Sequence, residues 1–392
     1  MKSRLYFVFC LLSLLSCRTE LFNHKMWVTF EVHDLSGCDK PVFIAGTFNQ
    51  WNPGHPDYCL IKAGNVWTKT ILLQTASAIE YKFTRGSWES VEKDSLGTDV
   101  ANRVYAVQSA NDTVRTFISR WGTGKRISTV TGHVEVINDF PISQLGKTRT
   151  LRILLPDDYH ENLTRRYPVI YMHDGQNLFD DSIAFNGEWG IDESLKTMFD
   201  ENPEKAFLVV GIDNGPDRLS EYSPWPFDFR HYHSSGEGGQ YAIFLAETLK
   251  PYIDSHYRTL TDPEKTMIAG SSMGGLISLY TGLTYPHLFG LIGAMSSTFS
   301  DVVVGQQLRE FILSEKIKRP EHLRIYLDIG TMESAETPPE SEVKANQQVY
   351  ELLKDVLPDG SVVILRIIQG GQHRESDWEK RFPHMVRWLY DF

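Results

Sequence analysis

The sequence is short of positive charge and of metal-binding side chains, and each shortage argues against a class of function. Lysine and arginine number 39 against 50 acidic residues, which gives a formal net charge of −11. This balance argues against nucleic acid and against an anionic membrane surface as partners. Only four cysteines are present, and no cluster of cysteine and histidine has the spacing of metal ligands. We therefore predict no metal site and no cofactor.

The apolar run at the N-terminus is too short to span a bilayer. It covers residues 5–15, follows two basic residues and is typical of a signal peptide. Its end, Leu14-Leu15-Ser16-Cys17, resembles a bacterial lipobox, in which Cys17 becomes the lipidated N-terminus. We predict a signal peptide of the lipoprotein type over residues 1–17 and a location in the cell envelope, with plain secretion as the alternative. Membrane attachment would then occur only through this lipid. In an oxidising compartment Cys38 and Cys59 would either pair or remain two small buried thiols.

The chain of 392 residues is longer than one ordinary core supports, so two domains are expected. Residues 27–32 alternate apolar and polar side chains with period two, and residues 41–46 form a second strand-like run. Similar runs follow up to residue 118, and none has helical periodicity. We predict an all-β sandwich over residues 24–118, followed by a polar, glycine-containing linker over residues 119–130.

After the linker the pattern changes to strands that alternate with helices. Residues 167–172 and 207–212 are continuous apolar runs typical of buried parallel strands, and residues 188–199 between them are predicted to be helical. This alternation continues to the C-terminus. It predicts an α/β domain over residues 131–392 with a doubly wound, mostly parallel sheet, whose site lies beyond the carboxyl ends of the strands.

The segment Gly270-Ser271-Ser272-Met273-Gly274 stands between a predicted strand and a predicted helix. Gly-x-Ser-x-Gly in this context predicts the nucleophile elbow of an α/β-hydrolase, where the turn is so tight that only glycine fits two residues either side of the serine. Ser272 has glycine at both of these positions, whereas Ser271 does not. Ser272 is therefore the predicted nucleophile.

Two later strand-end loops carry the predicted partners of this serine. His373 lies in a glycine-rich turn, residues 369–373, between the last strand and the terminal helix, where the fold places its general base. Glu333 follows the preceding strand and is the predicted acid. Asp301, one strand earlier, is the alternative, and Asp328 lies inside a strand and so comes too early. The order Ser272, Glu333, His373 is the order that this fold uses.

A third loop, residues 173–179, follows the strand that ends at residue 172. In an α/β-hydrolase this loop contributes to the oxyanion hole, which needs two backbone N–H groups. We predict that Gln176 and Met273 donate them. The alternative is an ordinary strand-end turn built by Asp174-Gly175.

Parts of the first domain resemble a starch-binding carbohydrate-binding module. The resemblance rests on residues 42–52, 67, 80–83, 88–89 and 102–103. In that family two tryptophans stack on glucose rings while a lysine and an asparagine bond the sugar hydroxyls. It implies these roles for Trp51, Trp88, Lys82 and Asn102, although the segment 90–101 is longer than the family usually shows. The alternative is that the tryptophans are packing residues of a sandwich that no longer binds glycan.

The second domain resembles the putative esterase family, which includes S-formylglutathione hydrolase, feruloyl and acetylxylan esterases, and siderophore esterases. The resemblance rests on residues 171–180, 188–190, 211–214, 221–222, 270–275 and 371–373. It implies an α/β-hydrolase fold and a triad of serine, acid and histidine. Glutamate at position 333 departs from the commoner aspartate and is chemically permissible.

Together these features predict a serine carboxylic-ester hydrolase that acts on feruloyl or acetyl esters of a polysaccharide, or on a small ester. A siderophore esterase is the alternative among enzymes, although no cluster of arginine and lysine accompanies the triad loops. From another class, the alternative is a glycan-binding surface protein that does not turn over substrate. The sequence leaves the oligomeric state open.

Overall fold

The computed structural model describes most of the chain. It covers residues 25–37, 39–74, 78–95, 99–107, 111–122, 128–185, 187–229, 232–314, 317, 322–334 and 338–391. The predicted signal peptide with Cys17, and Cys38, lie outside these residues, while Cys59 is half-buried and has a free thiol. The chain divides after Gly122 into two compact units. Among the described helices, none combines the length and apolar character needed to cross a membrane.

The first unit is built from short strands. These are β1 (Lys25–Asp34), β2 (Phe43–Gly46), β3 (Ile61–Ala63), β4 (Val66–Gln74), β5 (Ala78–Thr84), β6 (Glu92–Lys93), β7 (Arg103–Ala106), β8 (Asp112–Ile118) and β9 (Arg120–Trp121). They form sheets with the orders β3-β4-β1-β8 and β2-β5-β7, and a pair β6-β9. Phe30 of the first sheet meets Tyr81 of the second edge to face, with ring centroids 5.0 Å apart. The two sheets therefore share one apolar core, and the prediction of a β-rich first unit is confirmed.

The second unit alternates strands and helices. Its strands are β10 (His133–Ile142), β11 (Lys147–Leu155), β12 (Val169–His173), β13 (Leu208–Ile212), β14 (Phe227–Phe229), β15 (Tyr232–Ser234), β16 (Thr266–Ser271), β17 (Leu291–Met295), β18 (Arg324–Met332) and β19 (Val362–Gln372). Its helices are α1 (Ile191–Glu201), α2 (Arg218–Glu221), α3 (Gly238–Ile243), α4 (Lys250–His256), α5 (Met273–Thr284), α6 (Val302–Leu313), α7 (Pro339–Val356) and α8 (Glu375–Leu389). A π-helical segment, Phe244–Leu249, joins α3 to α4.

Eight of these strands form one sheet in the order β10-β11-β13-β12-β16-β17-β18-β19. The six strands from β13 to β19 in this order are parallel, and β10 and β11 continue the sheet antiparallel at one edge. Every residue of β12, β13, β16 and β17 is buried, which explains their continuous apolar sequences. The predicted mostly parallel sheet is confirmed, and its strands end in the loops that carry the candidate site.

One local expectation differs from the structure. Residues 369–373 were expected to form a glycine-rich turn, but β19 continues through them to Gln372. Gly370 takes a φ of 73°, and the pairing register with β18 shifts between Gly330 and Met332. Glycine is suited to this irregularity inside the strand, because a positive φ strains other residues. His373 follows directly after the strand end.

Candidate active site

Ser272 alone makes the turn between β16 and α5. It adopts φ 57° and ψ −124°, a conformation that residues other than glycine rarely take and that is frequent at active sites. A Cβ atom on Gly270 would come within 2.8 Å of the carbonyl carbon of Gly274. The strand and the helix thus approach too closely for any larger residue at position 270.

The Ser272 hydroxyl lies 3.2 Å from the Thr298 hydroxyl. Within the described residues its side chain makes no other hydrogen bond, so none joins it to His373. Ser272 and His373 nevertheless line the same cavity. Hydrogen bonds between catalytic groups are often long until substrate binds, so this geometry is compatible with a serine that turns from Thr298 to His373.

His373 and Glu333 are in direct contact. Nδ1 of His373 lies 2.8 Å from Oε2 of Glu333, whose side chain is 4% exposed. The other carboxylate oxygen, Oε1, accepts hydrogen bonds from the Ser296 hydroxyl at 2.6 Å and from the Gly330 amide at 2.5 Å. Burial alone would raise the pKa of Glu333, but the bonds from His373, Ser296 and Gly330 lower it below its ordinary value. Glu333 is therefore a fixed anion facing the imidazole.

Ser296 connects this carboxylate to the terminal helix. Its hydroxyl donates to Glu333 and accepts from Trp378 Nε1 at 3.0 Å and Arg381 Nη2 at 3.0 Å. Arg381 also donates from Nη1 to Asp328 Oδ1 at 2.8 Å. All three hydrogen-bonding sites of the hydroxyl are used, so its orientation is determined on every side.

The two other acids considered from the sequence lie elsewhere. Asp301 caps α6, where its Oδ1 accepts from the amides of Val303 at 3.0 Å and Val304 at 2.9 Å. Asp328 is fully buried in β18 and pairs with Arg381. Burial raises the pKa of Asp328 to about 6 despite this arginine. Of the three acids, Glu333 is the one in contact with His373.

The two backbone amides predicted for the oxyanion hole have no acceptor among the described residues. Gln176 lies in the 3₁₀ turn Gly175–Asn177 after β12, and Met273 is the first residue of α5. In the part of the chain that the structure describes, neither N–H donates a hydrogen bond. Buried backbone donors are normally paired, so both amides are available to an outside acceptor.

A cavity of about 590 Å³ opens at this end of the sheet. Its walls combine aromatic, amide and carboxylate side chains with the two candidate catalytic residues. The lining residues are Asp174, Asn177, Phe185, Trp189, Asn214, Pro216, Asp217, Arg218, Leu219, Ser220, His233, Ser271, Ser272, His373, Glu375 and Trp378. Such a mixture of apolar walls and a few polar groups is typical of small-ligand sites.

Arg218 and Asp174 form an ion pair in the cavity wall. Nε and Nη2 of Arg218 donate to Oδ1 and Oδ2 of Asp174 at 2.7 and 2.8 Å, and Asn214 Nδ2 also donates to Oδ1 at 2.6 Å. Burial would raise the pKa of Asp174, but Arg218 and Asn214 lower it. Asp174 and Arg218 follow different strands, β12 and β13, so the fold brings them together.

Glu375 was not identified from the sequence. It is 8% exposed, begins α8 two residues after His373 and lines the cavity. Its Oε1 lies 3.5 Å from Asn177 Nδ2, and burial raises its pKa to about 7. The sequence feature that could have identified Glu375 is its place in the first helical turn after His373, the candidate base.

The four predicted sugar-binding residues have different environments in the first unit. Trp51 and Trp88 are neighbours, with ring centroids 6.1 Å apart and planes at 42°. Lys82 is buried, at 6% exposure, in β5. Asn102 is exposed and donates from Nδ2 to Glu80 at 3.0 Å. The structure thus brings the two tryptophans together.

The mostly parallel sheet, with a Gly-x-Ser-x-Gly turn after a central strand, defines an α/β-hydrolase. Residues 142–389 match the family model described as Putative esterase, and the chain belongs to this family. The protein is a carboxylic-ester hydrolase.

Three known proteins illustrate what the chain is similar to. The endo-1,4-beta-xylanase/feruloyl esterase of Xylanibacter ruminicola is 26% identical over 201 residues, which is 49% of this chain and 24% of that protein. An alpha-amylase of Niallia circulans is 37% identical over 97 residues, which is 24% of this chain and 8% of that protein. The crystal structure of the enterobactin esterase FES from Shigella flexneri superposes with a TM-score of 0.56 at 19% identity, covering 94% of each chain. That superposition shows a shared fold.

Proposed function

We propose that this esterase works through a Ser272–His373–Glu333 triad and an acyl-enzyme, and that its substrates are feruloyl or acetyl esters of a polysaccharide. The observation that carries the catalytic part is the 2.8 Å contact of Glu333 with His373, beside the cavity that Ser272 and His373 line together. A buried carboxylate that orients an imidazole near a serine in a strained turn is the arrangement that activates a hydroxyl nucleophile.

In the proposed mechanism, each residue of the triad has its own step. His373 donates Nδ1–H to Glu333, so its Nε2 is the proton acceptor. Ser272 Oγ bonds to the acyl carbon and passes its proton to Nε2, while Glu333 stabilises the imidazolium. The C–O bond to the alcohol breaks and Nε2 returns the proton to the leaving oxygen. Water then attacks the acyl-enzyme by the same route, releasing the acid and restoring Ser272.

The free amides of Gln176 and Met273 are proposed as the donors to the oxyanion of both tetrahedral intermediates. Each is a fixed dipole that needs no reorganisation when charge develops on the carbonyl oxygen. Their lack of acceptors within the described residues supports this role, because an internal partner would compete with the substrate.

Two similarities support a polysaccharide as the carrier of the ester. One relative combines xylanase and feruloyl esterase in its name, and another is an alpha-amylase. The match to the putative esterase family begins at residue 142, after the first unit. The first unit is therefore long enough to contain the 97 residues that align with the alpha-amylase. A glycan-binding unit would hold the esterase on a polymer and raise the local concentration of esters.

A siderophore esterase is the second candidate, because the Shigella flexneri enterobactin esterase superposes over 94% of both chains. The charge of the cavity favours the polysaccharide instead. Among the described residues that line the cavity, Arg218 is the single arginine or lysine and is paired with Asp174, while Asp217 and Glu375 add further acidic groups. An anionic ferric siderophore would meet no free cation among the described lining residues.

A panel of esters separates these candidates. Purified protein is given p-nitrophenyl acetate, methyl ferulate, acetylated xylan and ferric enterobactin, with Ser272→Ala as the matched control. We expect hydrolysis of the first three and loss of each activity in the variant. Preference for ferric enterobactin would replace the polysaccharide proposal, and equal rates for wild type and variant would support the non-catalytic, glycan-binding alternative.

The first unit was expected over residues 24–118 with a linker over 119–130, and β9, paired with β6, extends it to Trp121. We propose that it binds starch-like glycan through Trp51 and Trp88. The contact between the two rings supports an aromatic platform, since sugar rings stack on flat apolar faces. Lys82 and Asn102 keep the hydrogen-bonding roles that the resemblance implies. Retention on insoluble starch and xylan should fall for Trp88→Ala and persist for Trp27→Ala, whose ring is 53% exposed on β1. Equal retention of both variants would contradict the proposal.

Export and lipidation at Cys17 are proposed from the sequence alone. Processing at this residue would leave the esterase on the cell envelope, where polysaccharide esters are accessible. The mature N-terminus can be identified by mass spectrometry. A diacylated Cys17 is expected, and a mature chain that begins elsewhere would favour plain secretion.

A further inference from the structure

Three carboxylates meet at the start of α1, outside the triad. They belong to Glu188, Asp192 and Glu193, and one oxygen from each lies within 4.8 Å of the others. Asp192 and Glu193 are in the first turn of the helix, and Glu188 precedes it by three residues. Carboxylates are common near a helix N-terminus, so this placement alone indicates no ligand.

The buried oxygens of this cluster carry the argument. Asp192 is 2% exposed, and its Oδ1 is buried without a hydrogen-bond partner among the described residues. Glu188 Oε2 and Glu193 Oε2 are buried and unpartnered in the same way. Burying an ionised carboxylate without a partner is costly, and a bound cation would offset that cost for all three oxygens at once.

Described protein groups hydrogen-bond to the other carboxylate oxygen of Asp192 and of Glu188. Thr131 donates from its amide at 2.7 Å and its hydroxyl at 3.1 Å to Asp192 Oδ2, and the Thr129 hydroxyl donates to Glu188 Oε1 at 2.6 Å. For Asp192 and Glu188, these hydrogen bonds on one oxygen hold the other oxygen in place. This is how outer contacts orient the ligands of a metal ion.

No described cation neutralises the cluster. Lys196, the lysine of the same helix, pairs with Asp157 and Asp200. Glu379 adds a fourth acidic side chain nearby, because a Cβ atom on Gly190 would lie 3.3 Å from Glu193 Oε2 and 3.4 Å from Glu379 Oε1. Counted over the described residues, the local charge is therefore strongly negative.

We propose that Glu188, Asp192 and Glu193 bind a divalent cation of the calcium class. Ca²⁺ takes oxygen ligands at roughly 2.3–2.6 Å, so two oxygens on one ion are at most about 5 Å apart, and the observed 4.8 Å limit falls inside this range. Mg²⁺ binds at about 2.0–2.1 Å and requires a tighter set. Waters and backbone carbonyls would complete the coordination.

The bound ion would also fix one wall of the substrate cavity. Glu188 is followed by Trp189, which lines the cavity and packs against Trp378 with ring centroids 5.3 Å apart. An ion bound by Glu188 and by the first turn of α1 would fix both ends of the short segment between them, which contains Trp189. The inference does not depend on the proposed triad or on the identity of the ester.

Calcium binding can be measured on the full chain without an activity assay. Protein treated with EDTA and desalted is titrated with CaCl₂ while its melting temperature is followed, and separately with Tb³⁺, whose luminescence is excited through tryptophan. Free Ca²⁺ at 100 times its Kd should raise the ratio of folded to unfolded protein about a hundredfold. Trp189, next to Glu188, should sensitise bound Tb³⁺, and Ca²⁺ should displace it.

Asp192→Asn and Glu193→Gln should each remove the Ca²⁺-dependent rise and the Tb³⁺ signal. Asp200→Asn is the matched control, since it removes an exposed charge from the same helix and should keep both responses. Glu193 is less buried than Asp192, so its variant keeps the test available if Asp192→Asn does not fold. A wild-type melting temperature that is the same in EDTA and Ca²⁺ would overturn the proposal. So would a rise that is equal for Mg²⁺ and survives both variants, because this would indicate general charge screening.

Discussion

His373 Nδ1 and Glu333 Oε2 lie 2.8 Å apart, although 40 residues separate them in the chain. Both follow the carboxyl ends of neighbouring parallel strands, β18 and β19, so the topology of the sheet brings them together. The carboxylate is buried and held at its other oxygen by Ser296 and Gly330. The imidazole is thus oriented by a group that is itself immobilised.

Replacing Glu333 by glutamine should reduce kcat strongly with little change in the fold. The amide keeps the size of the side chain but removes the charge that selects the Nδ1–H tautomer and stabilises the imidazolium. In an analogous triad this type of change costs roughly 10⁴-fold, and we expect a reduction of at least roughly 10³-fold in Glu333→Gln. Steady-state hydrolysis of p-nitrophenyl acetate measures it.

Asp301→Asn is the matched control for this acid. Asparagine caps a helix as well as aspartate, so the amides of Val303 and Val304 keep their acceptor. Activity and stability should both remain near the wild-type values. Loss of activity in Asp301→Asn with retention in Glu333→Gln would assign the acid to the earlier strand.

Ser296→Ala should lower kcat while leaving KM nearly unchanged. The hydroxyl orients Glu333 and accepts from Trp378 and Arg381. Its removal leaves the buried Trp378 N–H unpaired, while Arg381 Nη2 keeps its 3.5 Å contact with the Gln372 carbonyl. We expect a loss of about 1–3 kcal/mol in the free energy of unfolding. Ser297→Ala is the control, because Ser297 Oγ is buried without a partner among the described residues, and deleting it should be nearly neutral. Equal effects of the two variants on kcat would show that Ser296 does not position Glu333.

Glu375 should make the stability of the protein depend on pH. Burial raises its pKa to about 7, above the ordinary value of 4.5, so the folded state binds more protons than the unfolded state between these values. Protonation of Glu375 makes its whole contribution to the free energy of unfolding below pH 4.5. This contribution is lost as the pH rises through about 7. The loss is on the order of 3 kcal/mol.

Glu375→Gln removes this contribution, and urea unfolding at pH 5 and pH 8 measures it. The variant should gain stability relative to wild type at pH 8 and show little gain at pH 5. Other carboxylates change with pH in both proteins, so the difference between the two proteins isolates Glu375. A difference that is the same at both pH values would contradict the shifted pKa.

The sequence predicted the inner strands of the central sheet, β12, β13, β16 and β17, because they are almost continuously apolar, and residues buried on both faces leave that pattern. It also predicted Ser272, Glu333 and His373 by their places after strands. Parallel strands end at one edge, so a position after a strand carries information about the site even without contacts.

Contacts between loops could not be predicted in this way. Asp174 and Arg218 follow β12 and β13, and their ion pair depends on side-chain geometry that no local pattern encodes. Glu375 resembles an ordinary first-turn acid of a helix until its burial in the cavity is known. The carboxylates at the start of α1 were missed for the same reason, because their significance lies in oxygens that the fold buries without partners.

The central claim is that Ser272 is the nucleophile of an acyl-transfer site. The most direct test is to treat the folded protein with a fluorophosphonate, which reacts with activated serines, and to locate the label by peptide mass spectrometry. One label per chain is expected, on Ser272, and it should be absent from Ser272→Ala and greatly slowed in His373→Ala. Labelling of the adjacent Ser271, or a folded wild-type protein that takes up no label, would contradict the account.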